Sequence, residues 1–134
     1  MKRCLILISL LALTLSTHLF AALGNTENQI EELFGKPEHV GLPDAKGVSS
    51  NLYRKGDYVI LVQFLKHLSL AESYARSDQK ELSEREIDLF LEGSSNGNSW
   101  TKEPNKQAWE RSDYKARAWC QPVSGRPTLL VQAH

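Results

Sequence analysis

Cysteine is nearly missing from this chain: 134 residues hold two, Cys4 and Cys120, and Cys4 lies in an apolar leader. One remaining thiol cannot form an internal disulfide, so a disulfide-framed miniprotein is excluded and stability has to come from a packed core. No sign of charge predominates either. The chain carries 16 basic and 16 acidic residues, which provides no cationic footprint for nucleic acid or anionic lipid. Histidine is sparse, and His39, His67 and His134 stand singly, without the i, i+4 spacing of a zinc helix. A phosphate-binding loop, a serine-nucleophile elbow, a Cys-x-x-Cys pair and a glycosylation sequon are all lacking, and no cofactor is called for. The apolar run Cys4 to Leu15 is shorter than the roughly 20 residues of a spanning helix.

What is there begins with an export layout. Lys2 and Arg3 precede the apolar run, and small residues close it, as in a secretory signal peptide. Ala22 and Gly24 favour cleavage after Gly24, with cuts after Ala21 or Ala22 as alternatives, so residues 1–24 are expected to be a signal peptide. No cysteine stands at the cut, so no stable membrane anchor is expected after cleavage, and a secreted or periplasmic protein is expected. Without Lys2 and Arg3, 14 basic residues face 16 acidic ones, a net charge near −2. The remaining 110 or so residues suffice for one modest domain.

Inside that domain an echo recurs 56 positions apart: Tyr53, Arg54, Lys55, Gly56, Asp57, Tyr58 against Trp109, Glu110, Arg111, Ser112, Asp113, Tyr114. A repeat constrains architecture before any element is placed. Thr26 to Gln29 and Ser83 to Glu86 both have the form of a capping box. Ile30, Leu33 and Phe34 then share a helical face, as do Ile87, Phe90 and Leu91. Gly56 and Asp57 suit a two-residue hairpin turn. Strands are expected at Tyr53 to Lys55, Tyr58 to Leu65 and Leu68 to Arg76, and again at Ala116 to Cys120 and Thr128 to Gln132. The stretches Glu38 to Ser50 and Ser94 to Lys106, rich in Gly, Pro, Ser and Asn, read as long surface loops. The expectation is an α+β domain over 25–134: two tandem helix-strand-strand-strand repeats, about 26–76 and 83–133, forming an antiparallel sheet with the helices packed on one face.

Thr26, Gln29, Ile30, Leu33, Phe34, Gly35 and Pro37, followed by Tyr53 and the apolar strand Tyr58 to Phe64, resemble the opening of the small outer-membrane lipoprotein A family. That family shares its fold with secreted β-lactamase inhibitor proteins, which are tandem repeats of such a unit. The resemblance implies a fold type and a tendency to bind proteins. It does not carry over an anchor or a disulfide, because this chain lacks both sets of cysteines.

Candidate chemistry is thin. Cys120 alternates with Ala116 and Ala118, which places it on the core side of its strand as a structural thiol and not a nucleophile served by His39 or His67. Asp57 and Asp113 each sit in a tight turn before tyrosine, where aspartate bonds nearby amides. Trp119 shares a strand face with Lys115 and Arg117, and an aromatic beside cations is typical of a recognition surface. The alternative is a cover for Trp119 from the loop that holds Trp100. Val59 and Leu61 form an apolar patch on the equivalent face of the earlier strand, which something must cover.

Val59, Leu61, Lys115, Arg117 and Trp119 are therefore the candidate binding residues, with no catalytic or metal residue assigned. The function expected is a small exported, non-enzymatic protein-binding module of inhibitor or envelope-accessory type, its partner another envelope or extracellular protein. The alternatives are an enzyme with a site in the two long loops and a small-ligand binder between helices and sheet.

Overall fold

The computed structural model describes residues 23–134. The expected signal segment lies outside the described residues except for Leu23 and Gly24. Helix α1 spans Glu27–Phe34 and α2 spans Glu84–Gly93. Each starts at a reciprocal capping box: the Thr26 hydroxyl accepts from the Gln29 amide and the Ser83 hydroxyl from the Glu86 amide, while the Gln29 and Glu86 side chains bond back to the cap amides. Each box satisfies two otherwise orphaned donors, and loss of such a cap costs about 1 kcal/mol. Gly35, at φ 84°, closes α1 in a conformation that disfavours other residues.

The strands are β1 (His39–Val40), β2 (Val48–Lys55), β3 (Tyr58–Leu65), β4 (Leu68–Arg76), β5 (Trp100–Lys102), β6 (Ala108–Arg111), β7 (Ala116–Val123) and β8 (Arg126–Ala133). All eight join one antiparallel sheet in the order β1-β2-β3-β4-β8-β7-β6-β5. Three hairpins use two-residue turns. Gly56 takes φ 56° between β2 and β3, Lys66 and His67 take 51° and 65° between β3 and β4, and Ser124 and Gly125 take 51° and 75° between β7 and β8.

This architecture overturns the expected pair of helix-strand-strand-strand repeats. The protein is mostly sheet, 46% strand against 16% helix, and its two helices are short. The stretches read as loops contribute β1, the first residues of β2, and β5. β1 and β5 are the edge strands, which need only backbone pairing on one side, so Gly, Pro, Ser and Asn do not exclude them. The halves are continuous because β4 pairs with β8, from Ala71 opposite Gln132 to Tyr74 opposite Leu129.

One face of the sheet carries the core. Tyr53, Ile60, Val62, Phe64, Tyr74, Trp109, Ala118, Leu129 and Val131 pack there with Ile30 and Phe34 of α1 and Ile87, Phe90 and Leu91 of α2. Tyr74 stacks on Phe90 with ring centroids 4.2 Å apart, and Tyr58 meets the same ring edge-on at 5.1 Å.

Polar groups fasten α2 at both ends. At its start Glu86, besides capping, accepts from Tyr58 and, at 2.9 Å, from Arg76. At its end the Trp100 indole donates to the Leu91 carbonyl (2.7 Å) and Arg111 to the Ser94 carbonyl (2.9 Å). These side chains add donors at a helix end, where backbone carbonyls lack the partners of the helix interior.

Candidate recognition face

Among the described residues no helix lies on the opposite face of the sheet. The strand registers lay its side chains out in rows, because residues opposite each other in an antiparallel ladder point the same way. One row runs Leu52, Leu61, Ser73, Leu130, Trp119, Ala108 across six strands. On one side of it lies a row of Ser50, Gln63, Ala71, Gln132, Arg117 and Glu110, and on the other Arg54, Val59 and Ala75. Leu52, Val59, Leu61, Leu130 and Trp119 are all half-buried, and Arg117 is exposed.

The structure thus brings four of the candidate residues onto one surface. Leu61 and Trp119 share a row at three strand spacings, about 14 Å. Val59 occupies the adjacent row, and Arg117 lies on the far side of Trp119 from it. Lys115 sits in the turn ahead of β7 and is exposed. Trp100 does not cover Trp119: it belongs to β5 on the helix side, bonded to α2. Trp119 is instead flanked within its own strand. The Arg117 guanidinium lies 4.9 Å from its ring centroid, and its indole N–H donates to Gln121 at 2.9 Å.

Between the two apolar margins the surface is concave. Over Ala71, Ser73 and Ala75, β4 shows this face only small side chains, with Leu68 beyond them at the start of the strand, whereas its neighbours show Val59 and Leu61 on one side and Leu130 on the other. Small side chains flanked by large ones make a groove. A cavity of about 250 Å³ opens over Ser73 and Ala75, bounded by Val59, Leu61 and, from the β7–β8 hairpin, Arg126.

Leu52, Leu130, Ser73 and Arg126 went unnoticed in the sequence. Leu130 stands in the unbroken apolar run Leu129 to Val131, whose periodicity does not say which side faces out. Ser73 and the alanines matter only through what flanks them.

Elsewhere the core face holds a buried acid. Glu72 is 1% exposed, set between Val62 and Val131. Oε2 accepts from the Tyr74 hydroxyl and from the Ser94 hydroxyl at 3.4 Å, while Oε1 has no protein partner. Burial pushes the carboxyl up to about 8, against the opposing pull of those two bonds. Asp113 is held below the usual carboxylate range by its bonds from Arg111, at 2.8 and 2.9 Å.

Cys120 is half-buried, and burial raises its thiol. It lines a hollow of about 380 Å³ between the start of α2 and the β7–β8 hairpin. His39, on β1, lies five strand positions away, about 24 Å. His67 lies at the opposite end of β4 from the row that Cys120 shares with Leu129 and Tyr74. Neither brings a base to the thiol. Among the described residues no helix is long and apolar enough to cross a membrane.

No family model matches the chain, and no curated protein matches it either. Several solved structures are similar to it at a coarse level. A cysteine-rich secretory protein from Staphylococcus aureus aligns with a TM-score of 0.45 and 14% identity over 83% of this chain and 44% of its own. A DUF4309 family protein, YjgB, from Bacillus subtilis gives 0.44 and 14% over 82% and 79%. An extracellular protein containing an SCP domain from Bacillus anthracis gives 0.43 and 10% over 84% and 44%. The chain therefore spans less than half the length of two of these three proteins.

Proposed function

We propose that this chain is an exported, non-enzymatic protein-binding module, of inhibitor or envelope-accessory type, whose helix-free sheet face receives another envelope or extracellular protein. The observation behind this reading is the half-buried apolar row of Leu52, Leu61, Leu130 and Trp119 on a face that carries no second layer among the described residues. A sheet face in water ordinarily alternates to polar residues. Here it keeps a leucine or tryptophan at four of the six positions, with a tryptophan under an arginine near one side, the residue types that dominate interface energetics. The distance of both histidines from Cys120, and the raised thiol, count against cysteine catalysis. Export rests on the leader of Lys2, Arg3 and the apolar run that follows.

The test is site-specific photocrosslinking in the living cell. A photoreactive residue at position 61 or 119 is expected to yield a discrete protein adduct, lost when Val59 is changed to aspartate; the same residue at Asn28 or Arg85, on the helices, should not. Adducts from the helix positions alone, or none from the sheet face, would sink the proposal. The exported form should weigh less than the full chain by roughly two dozen residues, the usual length of a signal peptide.

A further inference from the structure

Charge is sorted between the two faces of this nearly neutral chain. The helices carry Glu27, Glu31, Glu32, Glu84, Glu86, Asp88 and Glu92 against Arg85 alone. The helix-free face is the reverse. Its carboxylates are already engaged, Glu110 with His134 at 3.1 Å and Glu38 with Arg54 at 3.2 Å. Among the described residues Lys115, Arg117 and Arg126 have no ion-pair partner on it, and the Arg117 guanidinium lies over the Trp119 ring. All three belong to the β7–β8 side of the groove. Arg117 lies level with Gln132 and Arg126 is six residues earlier on β8, so their backbone positions stand about 20 Å apart along the strand direction, and the Arg117 guanidinium leans over Trp119, towards Arg126.

Resting on the recognition reading above, we infer that the groove over β4 takes an extended, apolar segment of a partner protein with two carboxylates several residues apart, which meet Arg117 and Arg126. The groove follows β4 from Ala71 to Ala75, along one strand, so a chain lying in it is extended. Its floor of Ala71, Ser73 and Ala75 leaves room for side chains, and Val59, Leu61 and Leu130 receive the apolar ones. Gln63 and Gln132 flank Ala71 from the two sides and offer both donors and acceptors to the backbone of the segment. Carboxylates placed over paired cations on a half-desolvated face gain more than on open surface, and the match also excludes basic segments.

An array of synthetic eight-residue peptides tests this, with apolar residues at alternate positions and Glu, Gln or Lys at two others spaced either six or two residues apart. Binding to the purified protein is measured by titration, and its place by backbone amide NMR shifts. Expected are shifts centred on β3, β4 and β8, preference for Glu pairs at the wider spacing, weaker binding at high salt, and a loss of roughly tenfold for each of Arg117→Glu and Arg126→Glu. Arg117 is exposed and Arg126 half-buried at the rim of the cavity, neither in the core, and an unchanged amide spectrum away from the groove will verify that both variants keep the fold. Binding at the groove that ignores peptide charge and both reversals would overturn this inference and leave the recognition reading standing. Shifts on the helices, or no binding at all, would overturn both. Self-association abolished by Arg117→Glu would assign the face to the acidic helices of a second copy and overturn the inference likewise.

Discussion

Replacing Glu72 by glutamine tests how the core of this sheet is held, because the acid is buried with one oxygen unpartnered. Its proton is retained in the folded protein up to about pH 8 but in the unfolded chain only to about 4.5. Between those values the native state binds the extra proton, so stability falls as pH rises. The contribution is whole below the unfolded value and gone above the folded one. At 1.36 kcal/mol per unit the loss across the window is about 5 kcal/mol, a large part of the 5–15 kcal/mol available to a small domain. Glutamine does not titrate, but its amide N–H groups occupy the place of the unpartnered oxygen, a cost of about 1–3 kcal/mol. The two stability curves therefore cross, the native chain being more stable at pH 5 and Glu72→Gln at pH 9. Urea unfolding followed by far-ultraviolet circular dichroism at half-unit steps reads both curves. A native chain whose stability is flat from pH 5 to 9, or a glutamine variant with the same slope, would refute the reasoning.

Two further outcomes are expected. Lys66 and His67 hold φ of 51° and 65° in the β3–β4 turn, which suits Asn-Gly far better; the double change Lys66→Asn with His67→Gly should stabilise by about 1 kcal/mol, read as a higher unfolding midpoint at unchanged slope. The thiol of Cys120, half-buried and raised by burial, should react with an aromatic disulfide reagent at least about tenfold more slowly in the native than in the unfolded protein, and equal rates would place it in solvent.

Legibility in the sequence followed the range of the interaction. The capping boxes at Thr26 and Ser83, the turn at Gly56 and the alternation through Tyr58 to Leu65 are decided within a few residues, and each could be read from its own neighbours. The fold class could not. Edge strands β1 and β5 are made by hydrogen bonds to β2 and β6, which the Gly- and Ser-rich composition of their segments does not announce. Of the candidate face, Val59, Leu61, Arg117 and Trp119 were legible as outward positions of two strands. The groove was not, since it consists of Ala71, Ser73 and Ala75 lying low between residues distant in the chain.

By itself, then, the sequence determined which side of β3 and of β7 faces the core and where each helix begins, because side-chain period and caps are local. Only the tertiary structure decided that β4 pairs with β8, and so that Leu61 and Trp119 share one surface. Backbone hydrogen bonds are the same for every residue, and the choice of strand partner is settled by burying one common core face, a property of the whole chain.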